Sequence, residues 1–483
     1  MSTSNQQSYA ISNPHSIGLD AIQKAGMLLA LTGVAILFVA WFGIHVPKPE
    51  WFLAASLGMM VLGVFIYSRR TYLIHPEGIK NNHVWFNSLS NRGVLGWFLA
   101  IILTGFYILL YWYPHVLGYQ SGENGVNQGL IALFDPLSIF FKGTHASQWF
   151  VYGTLYTVLI ITLGIKFIYK YRHNRYQVIR TLVVMISQTF LAYLIPEILA
   201  GLNYNDTTNS QGEYLGWYDT DLKNTWPLDY DFFNSWHLDA MQVESYQPIG
   251  MFYLVWGIIF FLVLTPIITY FVGKRWYCSW VCGCGGLAET TGDAFRHLSS
   301  KKLSAWKLER WLIHGIMVFV FIMTAATLYG YFTNSSTVLG LSIYEYFQKP
   351  YGFLIGAAFS GVIGVGFYPL LGNRVWCRFG CPMAGYMGLF QRFKSRFRIT
   401  TNGGQCISCG NCSTYCEMGI DVRAYAQKGE NIVRSSCVGC GICSAVCPRG
   451  VLKLENDSEK GRINPTEIVL GNDVDLMKLV NKK

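Results

Sequence analysis

Eight long apolar stretches limit this chain to a helical membrane architecture. Each holds about seventeen to twenty-four mostly apolar residues, enough for a helix to cross a hydrocarbon core roughly 30 Å thick. They cover residues 26–44, 51–67, 93–113, 149–169, 181–202, 249–272, 312–332 and 353–371. Trp and Tyr flank many of their ends, as in the aromatic belts of membrane interfaces. The sequence therefore predicts an all-α polytopic membrane domain with about eight transmembrane helices.

The composition agrees with a membrane protein. Hydrophobic residues make up 52% of the chain and charged residues only 13%, against roughly 25% charged residues in soluble domains. The net charge of +10 comes from short basic clusters beside the apolar stretches, where the positive-inside rule requires them. Membrane lipid is therefore a predicted partner, and nucleic acid is not.

The distribution of Lys and Arg predicts the orientation. Basic residues concentrate between stretches two and three, between four and five, and after stretches six and eight, so these loops should be cytoplasmic. An even number of crossings then leaves both termini in the cytoplasm. The opposite side carries an acidic loop, residues 203–247, in which Lys223 is the single basic residue set against eight carboxylates.

Two cysteine runs near the end of the chain carry the strongest chemical signal. Residues 406–416 and 437–447 both have the spacing C-x2-C-x2-C-x3-C, and every cysteine of the first run recurs 31 positions later. In bacterial ferredoxins with this spacing, each 4Fe–4S cluster takes three cysteines from one run and the fourth from the other. We define the first ferredoxin set as Cys406, Cys409, Cys412 and Cys447, and the second ferredoxin set as Cys437, Cys440, Cys443 and Cys416.

These runs predict two 4Fe–4S clusters in a small α+β bacterial-type ferredoxin domain. Paired zinc knuckles are the alternative, because Cys-x2-Cys also occurs in zinc sites. Zinc sites do not usually repeat three ligands at this spacing with a fourth three residues on. Glu417 stands where proline is usual after the first run, whereas Pro448 follows the second; we expect Glu417 to alter local solvation without abolishing ligation.

A second repeat lies directly after two apolar stretches. Arg275, Cys278 and Cys282 recur as Arg374, Cys377 and Cys381 at a constant offset of 99. Helical residues four apart share a face, so each pair should direct two thiolates to one point. We call Cys278, Cys282, Cys377 and Cys381 the membrane set.

The membrane set has three interpretations: a third iron–sulfur cluster, redox-active or metal-handling thiols, and cysteines that only pack helices. Four thiolates suffice for one cluster. Arg275, Arg374 and Arg378 would offset its negative charge and keep the thiols ionised. Cys284 has no counterpart in the repeat and is expected to be a spare or structural thiol.

Other polar residues give weaker signals. The ten histidines, among them His45, His115, His145 and His237 on the predicted outer side, have no haem-like spacing and are expected to be structural or interfacial. Glu197, near the outer end of stretch five, either accepts a proton from a quinol or extends to the interface. The acidic outer loop either docks a basic periplasmic carrier or is an ordinary solvated loop.

Across residues 249–454 these motifs together resemble the membrane polyferredoxins of the NosR, NapH and CcoG type. The resemblance implies a bacterial inner-membrane protein that serves respiratory electron transfer or the maturation of oxidases and reductases. It carries over to the membrane set and to both ferredoxin sets. The chain departs from the pattern at Gly283, where proline is usual, and in having Cys284.

The predicted organisation has four parts: a cytoplasmic segment, 1–25; the membrane domain, 26–397; the ferredoxin domain, 398–456; and a polar tail, 457–483. We expect an electron carrier more than a self-contained enzyme, with a quinol or cytoplasmic donor and a respiratory or periplasmic partner protein. The alternative is a redox assembly factor that reduces copper or iron for a respiratory oxidase or reductase.

Overall fold

Seven helices in the described part of the chain are long and apolar enough to cross a membrane. The computed structural model describes residues 19–43, 47–73, 92–120, 126–202, 222–242, 247–402, 405–456, 469–470 and 474–475. The spans, numbered one to seven, are Ala21–Trp41, Pro49–Leu73, Val94–Trp112, Gln148–Lys170, Arg175–Gly201, Gly250–Val272 and Leu303–Thr333. They correspond to the first seven predicted stretches, and the chain is a multi-pass membrane protein.

The eighth predicted stretch, 353–371, is not one continuous helix. Helical structure runs from 343 to 363, includes the segments Tyr344–Gln348 and Tyr351–Ile363, and ends in a four-residue turn before Tyr368–Leu371. Gly366 lies in that turn, and only a residue without a side chain fits there, because a Cβ would meet the Thr104 side chain at 2.6 Å. Pro369 follows and cannot continue a preceding helix.

The broken segment still brings the chain back across the membrane domain. Span seven begins beside the ferredoxin domain, where Lys301 Nζ donates to the Thr414 carbonyl at 3.3 Å. Its 31 residues rise about 46 Å, so Thr333 lies at the far end. Residues 343–373 must cover that distance again, because Arg374 lies against the ferredoxin domain once more. The predicted eighth crossing is therefore present in broken form.

Short elements connect the spans at both ends. Those away from the ferredoxin domain are Pro114–Leu117, Gly129–Ala132, Asp135–Lys142, Ser235–Gln242 and the hairpin of Thr337–Val338 with Leu341–Ser342. Those beside it are Trp276–Val281, Gly283–Thr290, Thr291–Leu298, Val375–Phe379 and Pro382–Phe393. The second group carries the membrane set.

The ferredoxin domain is a small duplicated α+β unit. Strands Arg398–Thr401 and Leu452–Glu455 pair antiparallel, with Ile399 opposite Leu454. Between them lie the short helices Asn411–Thr414, Val422–Lys428 and Ile442–Ala445. The predicted tail is described only at Val469–Leu470 and Val474–Asp475, which pair antiparallel, and most of the predicted amino-terminal segment lies outside the described residues.

One buried core joins the ferredoxin domain to the membrane domain. It contains Ile399, Met418 and Val438 of the ferredoxin side together with Trp276 and Met383 of the membrane side. Burial of apolar surface from both sides stabilises their contact. The two cysteine repeats therefore belong to one continuous packing unit.

Candidate metal centres

The first ferredoxin set surrounds one small cavity. All four of its cysteines line that cavity, together with Pro448 and Leu452. Burial, together with the charges of the other three cysteines, raises the pKa of the Cys412 thiol to about 12. Gly410, with a φ of +81°, begins the helix that carries Cys412. These four thiols share one enclosure, as their predicted grouping requires.

The second ferredoxin set lies against the membrane domain. Burial raises the pKa of every thiol in it, to about 11 for Cys437. The charges of Cys440, Cys437 and Cys416 raise the pKa of Cys443 further. Cys416 of the first run is thus gathered with three cysteines of the second, as the predicted crossed pairing requires.

Hydrogen-bond donors of span five surround the second ferredoxin set. Gln177 Nε2 and Arg180 Nη1 donate to the Cys440 carbonyl at 2.9 and 3.1 Å, and the Tyr176 hydroxyl donates to Gly439 at 2.9 Å. Nε and Nη2 of buried Arg180 have no partner in the part of the chain that the structure describes. Cluster and thiolate sulfurs accept such bonds, so these residues fit an iron–sulfur cluster.

The thiol arrangement differs from that of a site for one metal ion. Among the described residues, no three His, Cys, Asp or Glu side chains converge on a point that suits a single ion. Zinc draws four sulfurs to within about 2.3 Å of one centre. A cubane instead takes one thiolate on each of its four irons, so its ligands surround a cage.

The membrane set is also brought together, by the packing of the two repeats. Burial raises the pKa of Cys278 to about 12, although the neighbouring cations Lys274 and Arg374 lower it. Burial raises the pKa of Cys381 as well, and the charges of Cys377, Cys278 and Cys282 add to the effect. All four thiols therefore lie within one buried neighbourhood.

The expectation that each pair occupies one helical face is wrong. Cys278 lies within the helix Trp276–Val281, but Cys282 has a ψ of 126° and caps the next helix, Gly283–Thr290. Cys381 likewise has a ψ of 113° and caps Pro382–Phe393. In each motif, an extended cysteine stands between the first helix and the second. A helix amino terminus favours negative charge, so the capping position suits a thiolate.

The three arginines predicted to offset the charge of the membrane set have different partners. Arg374 Nη1 lies 3.6 Å from the Cys377 sulfur. Arg378 instead pairs with Glu309, Nε to Oε2, at 2.7 Å. Arg275 lies over three aromatic rings and against Gly439 of the ferredoxin domain. Of the three arginines, Arg374 is the one whose described contacts place its positive charge beside a thiol sulfur of the membrane set.

Cys284 lies beside the membrane set. Its thiol donates a hydrogen bond to Cys282, and this bond lowers the pKa of Cys282 to about 6 despite burial. The same interaction and burial raise the pKa of Cys284. Its expected role as a spare or structural thiol stays a prediction.

The outer-side candidates have structural partners. Lys142 Nζ pairs with Glu197 Oε2 at 3.0 Å. His145 Nδ1 lies 3.1 Å from Asp135, and burial lowers the pKa of His237 to about 4. His45 and residues 203–221 and 243–246 of the acidic loop lie outside the described residues.

A wide cavity opens at the end of the molecule away from the ferredoxin domain. It lies between the end of span seven and residues 230–239, and it is lined by Asp231, Asp239 and Lys349 among other polar groups. Burial raises the pKa of Asp231 to about 6. Five residues of the acidic loop line this cavity: Tyr230, Asp231, Asn234, Ser235 and Asp239.

Comparison with known protein families recovers both cysteine repeats. A family described as "4Fe-4S dicluster domain" matches residues 405–452. A second family, described as "4Fe-4S binding domain", matches residues 254–304 and 353–400, which include the membrane set. No solved structure shows a significant match.

Two curated relatives are each similar to part of the chain. The electron transport protein YccM of Escherichia coli is 28% identical over 190 residues, which cover 38% of this chain and 49% of that protein. The methylamine utilization ferredoxin-type protein MauN of Paracoccus denitrificans is 27% identical over 213 residues, covering 42% of this chain and 64% of MauN. The alignments thus span less than two thirds of either relative. The chain thus combines seven membrane-length helices in its described part with a dicluster domain for two 4Fe–4S clusters, which is the organisation of a membrane polyferredoxin.

Proposed function

We propose that this protein transfers single electrons between a quinol or cytoplasmic donor and a respiratory or periplasmic acceptor. The observation that carries the proposal is that cysteines of the ferredoxin runs and of the membrane set, among them Cys437, Cys443, Cys278 and Cys377, lie in one buried core. Similarity to the electron transport protein YccM and to MauN supports it. The protein would position and tune its clusters.

The cluster ligands are assigned from the two groups of neighbouring thiols in the ferredoxin domain. The first ferredoxin set would hold one cluster and the second ferredoxin set the other. A 4Fe–4S cluster, when bound, takes up and releases one electron at a time. The chain's own residues bury it and donate hydrogen bonds to its surroundings, and these factors set its potential. They also fix its distance from the next site, which governs the rate of electron transfer.

The membrane set would provide the next site, as a third iron–sulfur cluster. Three observations support this assignment: four neighbouring thiols of which three are buried, a guanidinium at Cys377 and the family match over both motifs. The first ferredoxin set, on the side away from the membrane domain, would then exchange electrons with cytoplasmic partners. We assign the protein to the bacterial inner membrane with both termini in the cytoplasm.

A potentiometric titration followed by electron paramagnetic resonance tests this function. Purified, anaerobic protein in nanodiscs should show signals from reversibly reduced clusters, and a quinol analogue or a reduced ferredoxin should re-reduce them. Protein that is iron-free, contains zinc, or cannot be reversibly reduced would contradict an electron carrier.

The second candidate is a redox assembly factor, and one observation favours it. The hydrogen-bonded pair of Cys282 and Cys284 provides a fifth thiol beside the membrane set, which suits transient binding and reduction of copper or iron. Deletion of the gene separates the two functions. Loss of an assembly factor leaves the target enzyme poor in metal, whereas loss of a carrier leaves it fully metallated but starved of electrons.

A further inference from the structure

Glu417 is a fully buried carboxylate at the junction of the two domains. It directly follows Cys416, and its exposed fraction is 0%. Arg374 Nε donates to Oε1 at 3.0 Å, and Arg296 Nη1 donates to Oε2 at 2.5 Å. Asn373 Nδ2 also donates to Oε2, at 3.3 Å. All three donors belong to the membrane domain, so the carboxylate is bound across the junction.

The internal repeat provides a reference for this position. Glu417 corresponds to Pro448, 31 residues later, and Pro448 is exposed. Ferredoxin geometry after the fourth cysteine therefore does not require a carboxylate. A buried carboxylate is costly without compensating charges, and here the membrane domain supplies two guanidinium groups. Its burial is explained by docking and not by cluster ligation.

Glu417 and Arg374 connect the two thiol sets. Glu417 directly follows Cys416 of the second ferredoxin set, and its Oε1 accepts a hydrogen bond from Arg374 Nε at 3.0 Å. Arg374 reaches the Cys377 sulfur at 3.6 Å. Two side chains therefore separate a cysteine of the second ferredoxin set from one of the membrane set.

Further buried ion pairs fix both ends of this connection. Glu289 binds Arg374 Nη2 at 2.5 Å and also pairs with Arg180. Asp293 binds Arg296 Nε at 2.8 Å and Lys170 Nζ at 2.5 Å. The arginines that hold Glu417 are thus themselves held by carboxylates of the membrane domain, which gives the docking contact a defined geometry.

We propose that Glu417 is a positioning residue that docks the ferredoxin domain on the membrane domain and, through Arg374, couples the second ferredoxin set to the membrane set. The proposal rests on the proposed electron-transfer function. Removing the negative charge of Glu417 leaves Arg374 and Arg296 less compensated beside Cys440. Positive charge favours the reduced, more negative form of a cluster, so the potential at the second ferredoxin set should rise.

Two substitutions separate charge from docking. Glu417→Gln keeps the size of the side chain and removes the charge; it should raise the potential of the cluster at the second ferredoxin set selectively. Glu417→Pro copies the other half of the repeat; it should keep the iron, increase amide hydrogen exchange at residues 437–446, and slow electron exchange between the domains at least tenfold. The control is Glu345→Gln, which breaks an exposed ion pair with Lys349 away from the ferredoxin domain; it should change neither the cluster potential nor the rate of electron exchange.

The outcomes distinguish this inference from the proposed function. An unshifted potential in Glu417→Gln, with reversible clusters in the wild type, overturns the positioning role alone. Equal shifts at both ferredoxin sets also overturn it, because Glu417 adjoins Cys416, which belongs to the second ferredoxin set alone. If Glu417→Pro loses iron, the selective shift in Glu417→Gln decides the matter. Wild-type protein without reducible clusters contradicts the proposed function itself.

Discussion

Arg374 donates a hydrogen bond from Nη1 to the carbonyl oxygen of Cys278 across 3.1 Å. The donor belongs to the second membrane motif and the acceptor to the first, which lie 99 positions apart for equivalent residues. Both residues are buried, so water does not replace the bond. The two motifs are therefore held face to face, and their four cysteines converge by contact between repeats.

Replacement of a cysteine in the membrane set should remove one cluster. Cys381→Ser is expected to lower the iron and acid-labile sulfide by one third, because a cluster with three thiolates and a weak hydroxyl ligand is poorly held. The ferredoxin signals in electron paramagnetic resonance should persist. Cys284→Ser serves as the matched control and should retain all the iron. Unchanged iron in Cys381→Ser would instead favour redox-active thiols.

The two ferredoxin sets should lose their clusters independently. Cys409→Ala should abolish the signal of the first set, and Cys440→Ala that of the second, because each residue belongs to a different enclosure. Quantitative spectra of reduced protein, with iron analysis, measure both. If either substitution abolished both signals while the protein stayed folded, the proposed partition of ligands would be wrong.

Gly410 and Gly441 offer a matched pair for measuring the docking contact. They are equivalent in the repeat and have φ values of +81° and +75°. An alanine costs about 1–2 kcal/mol of backbone strain at such angles. At Gly441 the added Cβ would also lie 2.8 Å from the Tyr176 ring, whereas at Gly410 the nearest atom is 3.8 Å away.

We therefore expect Gly441→Ala to increase hydrogen exchange at the domain junction more than Gly410→Ala does. Hydrogen exchange at Tyr176 and Gln177 is the direct readout, since both side chains bond to the ferredoxin backbone. Equal exchange in the two variants would mean that the Tyr176 contact does not constrain the domain.

Asp231 of the outer cavity and the nearby His237 should have opposite effects on how the stability of the protein changes with pH. Burial raises the pKa of Asp231 to about 6, so the folded protein binds this proton more tightly than the unfolded chain, and stability falls as pH rises from about 4 to 6. Burial lowers the pKa of His237 to about 4, so its contribution to stability rises with pH up to about 6.5.

Asp231→Asn should remove the first effect and reveal the second. Its free energy of unfolding should rise by roughly 2–3 kcal/mol between pH 4 and 6.5, while the wild type changes less. Thermal unfolding in detergent, followed by tryptophan fluorescence, measures the difference. Asp239→Asn is the control, an exposed carboxylate in the same cavity. If the stability of Asp231→Asn depended on pH as that of the wild type does, Asp231 and His237 would not have the opposite effects expected here.

Cysteine labelling should place Lys349 and Lys428 on opposite sides of the membrane. Both are exposed, and Lys349 lies at the outer cavity whereas Lys428 belongs to the ferredoxin domain. An impermeant maleimide added to intact cells should label Lys349→Cys and leave Lys428→Cys unlabelled. The native protein, whose cysteines the proposed orientation assigns to the cytoplasmic side, provides the background. The reverse pattern would invert the proposed orientation.

Local patterns in the sequence were sufficient for the spans. Apolar length predicts a membrane helix because the bilayer thickness is fixed, and seven of the eight stretches appear as such helices. The spacing of each cysteine run is likewise local, and it predicts that Cys416 joins Cys440 in a crossed pairing. The eighth crossing is broken, contrary to expectation, because Gly366 packs too closely against Thr104 for a side chain and Pro369 lacks the backbone N–H that would continue the helix.

Only the tertiary structure decided how the domains meet. Glu417 is separated from Arg296 by 121 positions and from Arg374 by 43, and no periodic pattern encodes such a pairing. The sequence marked Glu417 as a departure from proline without giving its partners. The capping positions of Cys282 and Cys381 also depend on where each helix ends. Ion pairs between distant segments form only when apolar packing brings those segments together and excludes water.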